Sequence, residues 1–125
     1  MEKEKPRRVL IIDDNPFFAQ VLRRLFETHG YEVAGSARTV KEGTEFYETK
    51  KPDLITLDLM MKNEHGFRAL MTLKRMDPNV RVIVISSDPN QLTMDKAKDL
   101  GAVGYVVKPV KWDQLKAAIE QTDHK

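Results

Sequence analysis

Polar residues of complementary charge directly follow four short apolar runs of this chain. They are a carboxylate pair, Asp13 and Asp14, a third carboxylate, Asp58, a hydroxyl, Ser86, and an ammonium, Lys108. Two carboxylates about 4 Å apart repel by roughly 4 kcal/mol at an effective dielectric constant near 20, so three can share one site only with a cation or a proton. A small number of oxygen ligands favours Mg²⁺ over Ca²⁺, because Mg²⁺ keeps waters that an incoming phosphate can replace.

The ammonium, the hydroxyl and a divalent cation around a carboxylate would also neutralise an anion that carries several oxygens. Phosphoryl transfer needs mainly positioning and charge neutralisation, and a carboxylate can act as the nucleophile by forming an acyl phosphate. We therefore interpret Asp58 as a phospho-accepting residue. Ser87 is the alternative to Ser86 as the hydroxyl, because the two serines are adjacent.

Five strand candidates have to carry these residues to one edge of a sheet. They alternate with stretches of helical periodicity, which is the pattern of a parallel sheet covered on both faces. The candidates span residues 9–12, 32–36, 54–57, 82–85 and 105–107. The second contains Glu32 and Gly35 and is typical of an edge strand, whereas the other four are apolar except for Thr56 and predict burial on both faces. Right-handed crossovers predict an α/β fold, a doubly wound five-stranded parallel sheet in a three-layer sandwich. With five units the expected strand order is 2-1-3-4-5, the order of flavodoxin-like folds.

Capping signals indicate where the helices begin. Asn15 before Pro16 predicts the start of the first helix, and Thr39 with Glu42 has the spacing of a capping box for the second. Phe17 lies outside the apolar stripe of the first helix and is expected to be exposed, as a possible kinase-docking residue or a scattered surface hydrophobe. That stripe consists of Phe18, Val21, Leu22, Leu25 and Phe26. The fourth helix is expected within residues 90–100, and Trp112 begins the apolar face of the fifth.

Composition and charge limit the classes of function. The 125 residues suffice for one domain, and 21 Lys and Arg against 19 Asp and Glu give a net charge of +2, so there is no bulk electrostatic reason for direct nucleic-acid binding. No apolar run approaches the ~20 residues of a membrane helix, so no membrane insertion is expected. The absence of cysteine excludes disulfides and thiolate ligands, and we expect a cytoplasmic location. Residues 1–7 are interpreted as a solvated lead-in and residues 8–122 as the domain.

The sequence resembles a response-regulator receiver domain of the CheY type across residues 8–122. The resemblance rests on the acidic pair that ends residues 10–14, on Asp58 with Gly66 eight positions later, on Ser86, and on the run 104–109, Gly-Tyr-Val-Val-Lys-Pro. It implies a two-component phosphorelay, in which Asp58 receives a phosphoryl group from the phosphohistidine of a histidine kinase or a phosphotransfer protein. Such a protein is a signalling module that catalyses its own phosphorylation and dephosphorylation rather than an enzyme with an external substrate.

The resemblance also implies a role for each site residue. Asp14 and Asp58 would bind Mg²⁺, Asp13 would act on it through water, and the backbone carbonyl of Met60 would complete the protein ligands. Lys108 would pair with the phosphate and precede a cis peptide bond. Ser86 and Tyr105 would form the switch. The output face would be the fourth helix, fifth strand and fifth helix, which would bind a downstream protein target still to be identified, the protein being a monomer or a dimer through that face.

Three positions bear on how the site would behave. Most relatives have a proline where this chain has Lys62, which puts the rigidity of the loop and the rate of phosphorylation in question. Val110 replaces a frequent phenylalanine and changes the surface beside the fifth helix. The resemblance places Met60 beside the route of the hydrolytic water, and a bulky residue there predicts slow hydrolysis.

Other functions stay open at this level. A phosphatase of the haloacid-dehalogenase type also uses an aspartyl nucleophile and Mg²⁺, but it needs a second acid where this chain has Asn15. A flavodoxin-like mononucleotide binder would need a phosphate loop rich in Ser, Thr and Gly in place of Asp13 and Asp14. The chain could also be the receiver part of a larger DNA-binding regulator, although its short C-terminus favours a freestanding protein.

Overall fold

Five parallel strands form the centre of the protein, in the order β2-β1-β3-β4-β5. The protein is described here by a computed structural model that covers residues 7–122. The strands are β1 (Arg8–Ile12), β2 (Glu32–Ala37), β3 (Leu54–Asp58), β4 (Val82–Ser86) and β5 (Gly104–Val107). The helices are α1 (Pro16–Thr28), α2 (Val40–Lys50), α3 (Gly66–Met76), α4 (Gln91–Asp99) and α5 (Trp112–Thr122). The strand order confirms the predicted fold, and the lead-in predicted for residues 1–7 lies outside the described residues except for Arg7.

Alternation of side chains along the strands divides the apolar core into two layers. Val9 and Ile11 point to the face that α1 and α5 cover, where they join Leu22 and Phe26 of α1 and Leu115 of α5. The alternate residues of each strand point to the face that α2, α3 and α4 cover; they include Leu10, Ile12, Ile55, Leu57, Val82 and Val84. The predicted three-layer sandwich is therefore confirmed, because each helix layer buries one side of the same sheet.

The strands extend slightly beyond the predicted ranges. One of the two edge strands is as predicted, and the other is not. β2 is an edge strand, as predicted. β5 forms the other edge, and Tyr105 and Val107 are only half-buried, so the expectation that this strand is buried on both faces was wrong. Asp58 and Ser86 are the last residues of β3 and β4 rather than the first residues of loops.

The helix starts follow from local hydrogen bonds. The Asn15 side chain accepts hydrogen bonds from the backbone N–H groups of Phe17 and Phe18, and Pro16 needs no such partner. At α2 the Thr39 hydroxyl accepts from the N–H of Glu42, as predicted from the spacing. The apolar stripe of α1 is narrower than predicted, since Val21 is 46% exposed. Among the described residues, no helix is long and apolar enough to cross a membrane.

Polar contacts close the end of the sheet where the strands begin, which we call the amino-terminal end. The Tyr47 hydroxyl of α2 donates to Asp77 at 2.7 Å, just after α3. The backbone N–H of Arg8 donates to the carboxylate of Asp53 at 2.8 Å. The Arg8 guanidinium contacts Glu32 and the backbone carbonyls of residues 50 and 51. Each of these charged groups thus has a partner from another element.

Candidate functional site

The register between β1 and β3 brings the predicted carboxylates together at the end where the strands finish, which we call the carboxyl-terminal end. Ile12 pairs with Leu57, so the next residues along the two strands, Asp13 and Asp58, are neighbours. One carboxylate oxygen from each of Asp13, Asp14 and Asp58 lies within 4.8 Å of the other two. Three acids this close repel one another unless a cation or a proton intervenes.

Asp13 is a buried acid whose hydrogen bonding is incomplete. Its Oδ1 accepts the backbone N–H of Asn15 at 2.8 Å, while its buried Oδ2 has no hydrogen-bond partner within residues 7–122. Burial raises the pKa of Asp13 to about 6, and the nearby Asp58 carboxylate adds to that rise, whereas the Asn15 amide and Lys108 oppose it. An orphaned carboxylate oxygen next to two further acids is the environment that a hard divalent cation would stabilise, so the residues present fit Mg²⁺.

Asp58 is held from both sides by its surroundings. It is 5% exposed, its Oδ1 accepts the backbone N–H of Met60 at 2.8 Å, and its Oδ2 lies 3.1 Å from the Lys108 ammonium. β5 places Lys108 beside β4, because Ser86 pairs with Val107, the residue before the lysine. The structure therefore brings Asp58 and Lys108, 50 residues apart in sequence, into one ion pair.

Phe18 holds the Lys108 side chain in a way that the sequence did not indicate. The ammonium lies 4.2 Å from the centroid of the Phe18 ring, a cation–π contact. The sequence assigned Phe18 only to the apolar stripe of α1. An aromatic residue four positions after Asp14 is a weak signal by itself, because aromatic residues at the start of a helix are usually part of the core.

Asp14 is fixed by the loop that follows β3. Its Oδ2 accepts the backbone N–H of Lys62 at 2.8 Å, a hydrogen bond that a proline at this position could not donate. The same loop is attached at a second point, because the Glu64 carboxylate accepts the backbone N–H of Val40 at 2.8 Å. Lys62 lacks the rigid ring of a proline, but its backbone N–H attaches the loop directly to Asp14, one of the three acids.

Ser86 and Tyr105 meet at the start of the segment that leads into α4. Ser86 is fully buried, and its Oγ accepts the backbone N–H of Asp88 at 3.0 Å, whereas Ser87 is exposed. The Tyr105 hydroxyl donates to the backbone carbonyl of Asp88 at 2.8 Å. Burial raises the pKa of Tyr105. Asp88 in turn accepts the Thr93 hydroxyl of α4 at 2.8 Å, so this helix is connected to both residues of the predicted switch pair.

The remaining residues singled out in the sequence occupy distinct environments. Gly66 lets α3 begin against the loop after Asp58, because a Cβ there would collide with the backbone carbonyl of Leu59. The peptide bond between Lys108 and Pro109 is cis, as the resemblance implies. Met60 and Phe17 are 60% and 79% exposed.

Trp112 packs against the end of α1. Its indole stacks on the His29 ring with centroids 3.9 Å apart and makes edge contacts with Phe26 and Tyr31. Trp112 therefore packs within the protein, at the beginning of the apolar face predicted for the fifth helix. The packing of α1 against α5 brings these residues together although they are distant in sequence.

The chain is similar in sequence and in fold to known proteins. The profile of the response regulator receiver domain matches residues 9–120. A chemotaxis protein CheY of Thermotoga maritima is 35% identical over 115 residues, which cover 92% of this chain and 96% of that protein. A chain in the CheX-CheY-BeF3-Mg²⁺ complex of Borrelia burgdorferi is similar with a TM-score of 0.89 and 27% identity, over 96% of this chain and 91% of that one.

A second solved structure is similar in the same way. It is a response regulator protein from Burkholderia pseudomallei, determined with a phosphorylated aspartic acid, a calcium ion and citrate. The TM-score is 0.81 at 29% identity, over 94% of this chain and 69% of that one.

Proposed function

Because this chain belongs to the response regulator receiver domain family, we propose that it is a signalling protein that accepts a phosphoryl group on Asp58. The observation that carries the proposal is the position of the Asp58 carboxylate, 3.1 Å from the Lys108 ammonium and beside a carboxylate pair that includes an unpaired buried oxygen. Such a site offers a nucleophile together with groups that neutralise phosphate charge.

Asp13, Asp14 and Asp58 would hold Mg²⁺, with the backbone carbonyl of Met60 as a further ligand. When bound, the ion would neutralise the three acids and the phosphoryl oxygens. The support from this chain is the mutual proximity of the three carboxylates and the unpaired Oδ2 of Asp13. The support from relatives is that a magnesium ion belongs to the Borrelia complex and a phosphorylated aspartic acid to the Burkholderia protein.

The proposed phosphoryl transfer needs no reactant besides Asp58 and the phosphohistidine donor. An oxygen of Asp58 forms a bond to phosphorus while the phosphorus–nitrogen bond of a donor phosphohistidine breaks, and the electron pair returns to the imidazole. Lys108 shifts its ammonium from the Asp58 carboxylate toward the new phosphoryl oxygens, while Phe18 keeps it over the site. The Met60 amide steadies the oxygen that it already contacts.

Switching would follow from the added charge of about −1.5 to −2. The Ser86 hydroxyl would turn toward the phosphoryl group, which breaks its bond to the N–H of Asp88. Because Tyr105 and Thr93 are both bound to Asp88, that change would loosen the start of α4 and the adjoining strand β5. We propose α4, β5 and α5 as the output face for a downstream protein, whether the protein acts as a monomer or dimerises through this face.

We propose residues 8–122 as the receiver domain and a histidine kinase or a phosphotransfer protein as the phosphoryl donor. The proposed location is the cytoplasm. A phosphatase of the haloacid-dehalogenase type has less support. Asn15 stands where its second acid would be needed, and the Asn15 side chain is occupied in capping α1.

Mass spectrometry after treatment with acetyl phosphate and Mg²⁺ tests the proposal. We expect the intact chain to gain one phosphate, the Asp58→Asn variant to gain none, and an Asp113→Asn control, an exposed acid at the start of α5, to behave like the unaltered chain. A phosphate retained in Asp58→Asn would overturn the assignment. Sustained hydrolysis of a generic phosphomonoester would favour a phosphatase instead.

A further inference from the structure

The helix α3 concentrates positive charge that the proposed phosphorylation site does not use. Its 11 residues include Arg68, Lys74 and Arg75 and no acid. The whole chain carries a net charge of only +2, so this is a local excess. The excess lies on the face of the sheet opposite α1 and α5.

Arg68 and Arg75 border a groove between α3 and the end of α4. The groove has a volume of about 490 Å³, and none of the described residues that line it is acidic. Its apolar lining comes from Phe67 and Met71 of α3 and from Leu100 after α4. Its charged lining comes from Arg68, Arg75 and Lys96. The groove thus combines an apolar surface with cations from both walls.

Two of the cations lack an ion-pair partner among the described residues. Within residues 7–122, neither Arg68 nor Arg75 forms an ion pair. Lys96 lies 4.9 Å from the centroid of the Phe67 ring, which keeps its ammonium over the groove. Arg68 also occupies the first turn of α3, where a cation opposes the helix dipole, and His65 provides no side-chain cap there. Acidic groups from outside would therefore be stabilised along this wall.

We propose that the α3–α4 groove binds an acidic amphipathic helix of a partner protein. Arg68, Met71 and Arg75 are spaced three and four residues apart and extend over about 10 Å of α3, close to two turns of a helix. A partner helix could place leucine-like residues against Phe67, Met71 and Leu100 and its acids against the cations. Met71 is 43% exposed, and its flexible side chain can adapt to such residues.

The shape and lining of the groove favour this occupant over other anions. A concave groove between two helices fits a rod rather than the flat surface of an anionic membrane. A nucleic acid would be bound mainly through phosphates on an extended basic surface, whereas this groove carries only three cations beside apolar side chains. Asp58 is not among the residues that line the groove, so the groove can be tested in the unphosphorylated protein.

NMR titration of the unphosphorylated protein with a synthetic peptide tests the proposal. The probe is a 16-residue helix with leucine on one face and glutamate on the other; a second peptide has lysine in place of each glutamate. We expect the glutamate peptide to shift the amide signals of α3 and α4 and the lysine peptide to leave them unchanged. The affinity should fall at least about tenfold in the Arg68→Glu/Arg75→Glu double variant, because like charges then face each other.

A matched control keeps the result specific. Lys41→Glu/Lys116→Glu makes the same change in net charge on exposed residues of α2 and α5, and it should bind the glutamate peptide as the unaltered protein does. Met71→Ala should weaken binding without a change in charge. The proposal would be overturned if the shifts fell on other elements, if both double variants lost affinity equally, or if no shift occurred at millimolar peptide. A DNA duplex that shifted the same signals as strongly would assign the groove to nucleic acid instead. The dispersion of the amide spectrum reports whether each variant is folded.

Discussion

At the amino-terminal end of the sheet, Tyr47 donates to Asp77 and Arg8 contacts Asp53 and Glu32, so each of these charged groups has a partner from another element. At the carboxyl-terminal end, three carboxylates share one ammonium within the described residues, and a buried oxygen of Asp13 has no partner. Both ends belong to the same five strands. The strands therefore do not determine how the charges at their ends are paired.

The difference separates residues that stabilise the fold from residues that carry the proposed reaction. Unpaired buried charge lowers the free energy of unfolding, and a protein retains it where a ligand is to supply the missing partner. Substitutions at the two ends should consequently act in opposite directions. At the carboxyl-terminal end they should increase stability and reduce function, and at the amino-terminal end they should reduce stability and leave function unchanged.

The largest effect is expected from Asp13→Asn at the carboxyl-terminal end. The pKa of Asp13 is raised to about 6 in the folded state, above its ordinary 3.8, so the folded protein binds the proton more tightly than the unfolded chain. Without Mg²⁺ the free energy of unfolding should therefore fall as the pH rises from 4 to 7, by roughly 2 to 3 kcal/mol at about 1.4 kcal/mol per pKa unit. Asparagine should abolish this fall, raise stability at pH 7 and remove the stabilisation by added Mg²⁺.

Urea unfolding at several pH values, with and without Mg²⁺, measures this prediction. Asp113→Asn is the control for a loss of negative charge at an exposed site. If Asp13→Asn were less stable than the unaltered chain in metal-free buffer at pH 7, the view of Asp13 as an uncompensated acid would be wrong.

The next largest effect concerns the contact between Lys62 and Asp14. Lys62→Ala keeps the backbone N–H and removes the side-chain charge, whereas Lys62→Pro removes the N–H as well. Groups that orient a metal ligand typically contribute ten- to hundredfold to affinity. We expect Lys62→Pro to bind Mg²⁺ about tenfold more weakly than Lys62→Ala in isothermal titration calorimetry. Equal affinities of the two variants would show that the N–H does not orient Asp14.

A smaller effect of opposite sign is expected at the amino-terminal end from Tyr47→Phe. The substitution removes the hydrogen bond to Asp77, and this hydrogen bond is the main reason that the pKa of Asp77 lies below its ordinary value. The melting temperature should fall by about 4 °C near neutral pH. The loss should diminish in acid, because a depressed carboxyl pKa contributes stability only above the pH where the group is ionised.

Thermal unfolding followed by circular dichroism checks the effect on stability, and the acetyl phosphate reaction checks function. Tyr47→Phe should accept phosphate at the same rate as the unaltered chain. A slower reaction would mean that the two ends of the sheet are coupled. It would contradict the view that the amino-terminal end stabilises the fold without affecting the reaction.

The smallest effect is expected from Met60→Asn at the rim of the carboxyl-terminal end. Met60 is 60% exposed, and its amide contacts Asp58, so the side chain stands beside the carboxylate that we propose as the acceptor. A smaller polar residue should admit water and speed loss of the phosphoryl group severalfold. The decay of the phosphorylated chain after removal of acetyl phosphate measures the rate. A lifetime of seconds that Met60→Asn leaves unaltered would contradict this role of Met60.

Much of the site was predictable because it follows from the periodicity of the strands. Side chains alternate along a strand and parallel strands end at one edge, so the apolar runs before Asp13, Asp58 and Lys108 suffice to place these residues together. The stripe of α1 was predicted less well, since Val21 is exposed although it has helical spacing with the buried residues. Periodicity indicates which side of a helix is apolar, but not how far the sheet covers that side.

By itself the amino-acid sequence determined the alternation of strands and helices, the starts of α1 and α2, and the types of residue at the ends of the strands, since these depend on local propensity and on spacing within one element. Only the tertiary structure decided that Phe18 lies under the Lys108 ammonium, that the Lys62 amide holds Asp14, and that Arg68 and Lys96 face one groove. These contacts join elements distant in sequence. They depend on how helices pack on the sheet, and the pattern of any single segment does not contain that information.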